Sequence, residues 1–369
     1  MTPADLSRTV LHAVRRAVDE DALHAPVPAR VRVERTRPGG SGDYACAVAL
    51  QLAGPAALPA LEVARILRER VAAEPGVGRV EITGPGFLSF TLDAPAESDR
   101  AVLAAVREQG LAYGHGDALR DEIHQFHHAR EVRAAVTAQA VFRLLVAQGA
   151  RGRTTCDQAP DPDWVRLGVT VNAYGTPPTP LTEIRPVPAG ATAGELLERL
   201  GPDAARWGLL RAAGHDRAAL GPELLVQGEA NPFFRVRYAH ARARALTRGA
   251  AALGFTAEAA PYGASPAGPA AHAAPAPYDR AARPLLDLIA DHPGVLLAGA
   301  RHRAPDRVAR QLEAVAHAFF DFHDSCPPLP AGDEKPSAAH RARLAIAEAA
   351  GTVLAGGLSL LGIRAPEHL

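Results

Sequence analysis

The chain has 369 residues, 47% of them hydrophobic and 22% charged, with 40 basic and 40 acidic side chains in balance. That length holds two or three domains with cores of their own, and the hydrophobic content excludes a largely disordered chain. The neutral total excludes a polyelectrolyte tail and leaves room for a local basic stripe. Lys335 is the only lysine, so nearly all positive charge is arginine. Cys46, Cys156 and Cys326 form no CxxC pair, which speaks against a zinc ribbon or a disulfide framework and for a reducing, cytoplasmic setting. With no long apolar run ahead of its charges, the N-terminal stretch is not expected to be a secretory signal, and no run approaches about 18 apolar residues, so no membrane span is expected.

In chain order, Thr2–Val18 places Leu6, Val10, Leu11, Val14 and Val18 on one helical face. Val31–Arg35 alternates as a strand, and Tyr44–Leu52 reads as a second. Pro59–Val71 is helical, and Arg79–Ile82 and Phe87–Leu92 are strands around a Gly-Pro-Gly turn. Two helices on a small antiparallel sheet follow. Glu131–Ala147 is a single helix, Trp164–Asn172 is apolar and β-branched, and Ala193–Leu200 and Ala204–Ala212 are two short helices. From residue 227 onward the pattern is all-helical, broken by Ala/Pro-rich low complexity at Ala257–Pro277 that reads as a mobile loop. Pro305–Phe322 and Ser337–Leu361 each carry one apolar side, as bundle helices do. The fold class expected is an α+β N-terminal domain (1–112), a mixed α/β middle region (113–226), which the family resemblance below implies is a reduced remnant of a catalytic domain, and an all-α C-terminal bundle (227–369).

Arg235–Arg248, taken as a helix at about 100° per residue, buries Val236, Ala239, Ala243 and Leu246. Arg237, Arg244 and Arg248 then form a narrow stripe away from that face, with Arg235 and Arg242 on a second edge. Such a stripe is either a solvated helix face or a row of guanidinium forks for successive RNA phosphates.

The word Asn231–Leu246, NPFFRVRYAHARARAL, and the tail LLGIRAPEHL ending at Leu369 resemble the anticodon-binding domain of arginyl-tRNA synthetases. Gly42–Leu92, with Gly42-Asp43-Tyr44-Ala45 and Gly84-Pro85-Gly86-Phe87-Leu88-Ser89-Phe90, resembles the same family's domain for the tRNA elbow. The resemblance implies that Phe87 stacks a D-loop base, with Ser89 where relatives carry the asparagine that reads its edge. It implies RNA contact at Arg235, Arg237, Tyr238, Arg242, Arg244 and Arg248. In Phe322-His323-Asp324-Ser325-Cys326, His323 stands in place of a tyrosine, and Leu369 stands in place of a terminal methionine near the anticodon loop. Stacking of unpaired bases is worth ~1–3 kcal/mol each.

A class I synthetase also needs a His-x-Gly-His word at a strand–helix junction and a lysine-bearing loop against pyrophosphate. Alignment on the helix at 131 sets His128-Ala129-Arg130-Glu131 under the first word, with Arg130 at the close-approach glycine and Glu131 adding negative charge. Lys335 is far from that site in sequence. His124, His127 and His128 lack a completing acidic or cysteine set, so no metal is expected, and no cofactor either. The expectation is a non-catalytic tRNA-binding protein, not an enzyme, whose partner is a tRNA such as tRNA-Arg. The alternative is a protein-interaction module acting on a synthetase or on an enzyme that uses aminoacyl-tRNA. Residual arginine–tRNA ligation is the third reading.

Overall fold

The computed structural model describes residues 3–36, 41–74, 77–92, 95–176, 182–258 and 277–369. The chain divides into two compact units, Met1–Val102 and Leu103–Leu369. The Ala257–Pro277 stretch falls, except for residues 257, 258 and 277, outside the described residues.

In the first unit, α1 (Pro3–Asp19), α2 (Val48–Ala56) and α3 (Ala60–Val71) accompany an antiparallel sheet. The strands are β1 (Val33–Arg35), β2 (Tyr44–Cys46), β3 (Val77–Thr83) and β4 (Phe87–Leu92), in the order β1-β2-β4-β3. One core joins Leu6, Val10 and Val14 of α1, Val63 and Leu67 of α3, and Leu88 and Phe90 of β4. The expected strand Tyr44–Leu52 is corrected: it stops at Cys46, and a third helix begins at Val48. The apolar run Ala45–Leu52 suits either period. Burial of Val48, Ala49, Leu52 and Ala56 shows that the helical one prevails. The β3–β4 turn needs Gly86, whose φ is 133° and where a Cβ would sit 3.1 Å from the Ala60 backbone.

The helix α4 (Pro95–Gln109) leads into the second unit, which opens with a parallel layer. Strands β5 (Ile123–His128), β6 (Arg151–Cys156), β7 (Ala173–Tyr174) and β8 (Thr182–Ile184) lie in the order β7-β6-β5-β8, with α5 (Val132–Ala147) connecting β5 to β6. His128 is in register with Cys156 on one side and Ile184 on the other, at the carboxyl edge of the sheet. Trp164–Asn172 is no strand; Pro162–Leu167 is a 3-10 turn that buries Trp164. The two expected short helices are halves of α6 (Ala193–Arg211), kinked at Gly201, where φ is 72° and Pro202 follows.

Four helices complete the unit: α7 (Pro232–Ala252), α8 (Pro277–Arg301), α9 (Asp306–Ser325) and α10 (Ala338–Leu360). Asn231 caps α7, accepting from Phe233 N at 3.0 Å and donating to the carbonyls of Leu224 and Val226. Leu312, Val315, Phe319 and Phe322 of α9 and Leu344, Ala347, Leu354 and Leu358 of α10 are fully buried, each large apolar side chain contributing roughly 1.5–3 kcal/mol. A Cβ on Gly351 would lie 2.9 Å from the Ala243 side chain, so α7 and α10 cross closely only because that residue is glycine. By length and apolarity, α10 alone among the described helices could cross a membrane, apart from the bent pair α2–α3, and it is a core helix of this bundle.

Candidate nucleic-acid interface

No acidic residue occurs in α7, which carries five arginines and His240. Its two arginine edges differ. On the edge toward α9, Arg235 Nη2 donates to His317 Nδ1 at 2.7 Å, and Arg242 Nε donates to His323 Nε2 at 3.3 Å. Between them Tyr238, 42% exposed, stacks on Phe234 at 5.5 Å and on Phe320 at 5.4 Å between centroids. His323 Nδ1 in turn donates to Asp324 at 3.1 Å, which fixes the tautomer that accepts from Arg242. The result is a ladder of three rings flanked by two guanidinium groups. Such a surface can stack flat groups and bind anions together.

The other edge is covered by the chain's own C-terminal segment. Arg244 pairs with Glu367 at 3.1 Å, Arg248 donates to the Glu367 carbonyl at 3.3 Å, and His240 bonds the Pro366 carbonyl at 2.9 Å. Burial holds His240 below the usual histidine range, so it donates to that carbonyl as a neutral ring. Arg364 anchors the segment on Asp203 of α6, through its backbone N–H at 3.2 Å and Nε at 2.9 Å. Leu369 is 53% exposed at the end of this segment. Arg237 does not share the solvent stripe expected with Arg244 and Arg248. Its guanidinium lies 5.2 Å from the Phe233 ring centroid, its Nε is buried without a hydrogen bond, and burial lowers its pKa.

In the first unit, Phe87 and Ser89 lie on the sheet face opposite the helices, with Glu81 and Thr83 beside them in register. Phe87 is exposed, whereas Ser89 is buried and shares a 2.9 Å hydrogen bond with Thr83. Phe87 therefore offers a ring surface, while the Ser89 hydroxyl is already engaged.

The strand-end word His128–Glu131 sits where β5 meets α5. Glu131 is the N-cap of α5: one carboxylate oxygen accepts from Ala134 N at 2.7 Å and the other from Ala189 N at 2.9 Å. Arg130 Nε donates to the Ala159 carbonyl at 2.8 Å. His124 pairs with Glu122, His127 with Thr155 and His128 with the Ala129 carbonyl. Periodicity gave no hint of His317 and Phe320 as companions of α7. Their signal is a second, polar–aromatic face on α9, beside the apolar face that holds Phe319 and Phe322.

The C-terminal bundle with its parallel α/β layer, and the α+β N-terminal unit, each find their match among domains of the aminoacyl-tRNA synthetase class. The DALR anticodon binding domain model matches residues 236–369. The arginyl tRNA synthetase N terminal domain model matches residues 5–92. An arginine–tRNA ligase of Frankia alni is 27% identical over an alignment 566 positions long, gaps included, that covers all of both chains. One from Pseudarthrobacter chlorophenolicus is 37% identical over 176 residues, 47% of this chain and 30% of that relative. Among solved structures, Thermus thermophilus arginyl-tRNA synthetase shares the fold with a TM-score of 0.68 at 14% identity, covering 100% of both chains. The Plasmodium falciparum synthetase does so with a TM-score of 0.64 at 8% identity, over 100% of this chain and 99% of that one. The chain belongs to the arginyl-tRNA synthetase family.

These findings correct the expectation that the chain is not an enzyme. A relative named as an arginine–tRNA ligase matches it end to end, and nothing in the comparisons points to lost activity. The expectation rested on Arg130 at the close-approach glycine, on Glu131 adding negative charge there, on the lack of a lysine near that site and on a reduced middle region. In the structure the Glu131 carboxylate is held by two backbone N–H groups and the Arg130 guanidinium is bonded to Ala159. A residue's place in a motif word thus did not disclose what its side chain does.

Proposed function

We propose that this chain binds tRNA, receiving the anticodon arm on the α7–α9 face and offering Phe87 of the N-terminal unit as a stacking platform for the elbow. Arg235 and Arg242 neutralise phosphates, and Tyr238 with Phe320 supplies ring surface for unpaired bases. His323 orients Arg242, and Leu369 adds an apolar edge. Arg244 and Arg248 bind RNA only by exchanging their contacts with the C-terminal segment. Three segments serve this role in our reading: 1–112 for the elbow, 113–226 as a compact α/β layer and 227–369 for the anticodon arm. The observation that carries it is the Phe234–Tyr238–Phe320 ladder, with Tyr238 exposed and the two phenylalanines half-buried, between two arginines on a helix free of acidic residues.

Fluorescence-anisotropy titration of the full chain tests the reading. A folded tRNA-Arg transcript should bind more tightly than its isolated anticodon stem-loop, and the stem-loop more tightly than a poly-adenosine of equal length. Equal affinity for all three would reduce the interaction to charge alone. No binding of any of them would leave the same face to a protein partner. Arginine-dependent charging of the transcript, run alongside, reads the ligation that the relatives' names carry.

A further inference from the structure

The second unit holds a cavity of about 540 Å³ away from the faces described above. Its walls are the first turns of α5, the loop Ala212–His215 after α6, and the α8–α9 junction with the first turn of α9. None of His127, His128, Arg130 or Glu131 lines it. The volume falls within the roughly 300–1,000 Å³ of small-molecule sites.

The lining is unusually cationic. It contains Arg133, Arg303, Arg307 and Arg310 with His215 and His302, against the single acid Asp306. Some of that charge is already engaged. Arg133 donates to five backbone carbonyls, those of Val187, Leu209, Ala212, Ala213 and Asp216, at 2.6–3.1 Å. Arg310 pairs with Asp306, and His215 lies 3.8 Å from Asp216. Arg303, Arg307 and His302 have no ion-pair partner among the described residues, and both arginines are exposed to the cavity and solvent. The backbone adds to this. Arg303 holds a left-handed φ of 53°, a conformation that side-chain-bearing residues adopt at a cost of roughly 1–2 kcal/mol. Arg303 also projects its guanidinium to 5.9 Å from the Phe126 ring centroid. Two residues later Pro305 leads into α9 with no side-chain cap, so the positive end of that helix dipole adds to the same wall.

We infer that this cavity binds a small phosphate-bearing ligand, diphosphate-sized or larger, held by Arg303 and Arg307 with His302 beside them. Paired guanidinium forks match phosphate oxygens in geometry and charge. A half-open volume of about 540 Å³ is sized for a small molecule rather than for a polynucleotide. The inference is independent of the tRNA-binding face, since it shares no residue with it.

Isothermal titration of the full chain with inorganic pyrophosphate tests this. Wild-type protein should bind saturably, and pyrophosphate should raise its melting temperature. The double variant Arg303→Gln/Arg307→Gln should bind about tenfold or more weakly, as expected when two charge-assisted hydrogen-bond donors are removed. Its own ligand-free melting temperature should stay at the wild-type value. Arg307→Gln alone gives an intermediate affinity, which keeps the test open if the double variant folds poorly. Arg151→Gln, outside the cavity, should change nothing. Absence of pyrophosphate binding by wild type, or equal binding by the variants, would overturn the inference. So would variants that weaken only the tRNA transcript, because the arginines would then serve an RNA backbone.

Discussion

Arg206 and Arg242 are one residue type on successive helices of the same unit, and the fold uses them in opposite ways. Arg206 is 1% exposed, donates to the carbonyls of Leu361 and Leu167, and is pushed down to about 9 by burial, with Arg143 adding to the effect. Arg242 is exposed and donates to the imidazole of His323. Arg133 belongs with Arg206, Arg235 belongs with Arg242, and Arg237 falls between. In a chain with one lysine, arginine tethers buried backbone and also faces outward, so a row of arginines in the sequence does not by itself mark an RNA surface. What separates Arg133 and Arg206 from Arg235 and Arg242 is burial together with the partner: several backbone carbonyls for the first two, an imidazole for the other two.

The comparison breaks most visibly if an inner arginine is removed. Arg133→Ala should destabilise the second unit by on the order of 3–5 kcal/mol in denaturant unfolding, because five carbonyls lose their donor at once. A destabilisation below about 1 kcal/mol would place Arg133 with the outer class.

Histidines sort in the same way. His292 is fully buried, bonds Gln311 at 2.7 Å, and is pushed from 6.5 down to about 4 by burial. Because the folded value is lowered, the unfolded chain binds the extra proton first. Stability is complete above pH 6.5 and falls as pH drops toward 4, by about 3 kcal/mol in all. Melting curves across that window should show this slope, and His292→Gln should flatten it.

The N-terminal unit offers the smaller effects. Phe87→Ala should cost ~1–3 kcal/mol of affinity for intact tRNA and almost nothing for an anticodon stem-loop. Since Phe87 is 37% exposed, the variant should lose far less stability than the roughly 3–5 kcal/mol that deletion of a fully buried phenylalanine costs. A collapsed melting curve would make Phe87 a core residue. Ser89→Ala should matter less still for binding, because the hydroxyl is bonded to Thr83.

The bundle was legible because its apolar positions keep a 3.6-residue period. Val236, Ala239, Ala243 and Leu246 are all buried as the spacing requires, and so are Val308, Leu312, Val315, Phe319 and Phe322. The strands β5 and β6 were not. IHQFHH and RGRTTC are polar for buried parallel strands, and their pairing is set by α5 lying across them. The radial order of the α7 arginines was legible, but their exposure was not. Whether a helix face meets solvent depends on what else arrives there, and Glu367 and His368 arrive from more than a hundred residues away. A separation of 81 residues likewise hid the pairing of Arg242 with His323.

The two edges of α7 give the most direct test of the tRNA-binding account. Arg235→Gln/Arg242→Gln and Arg244→Gln/Arg248→Gln can be compared by titrating the tRNA transcript across a series of salt concentrations. If the α9 edge meets phosphates, the first pair should flatten the log–log salt slope by about 0.7–0.9 for each phosphate left without its arginine. The second pair, already engaged by the C-terminal segment, should change the slope by less. An unchanged slope for the first pair, with the larger change in the second, would contradict the assignment of the α7–α9 face as the RNA-binding surface.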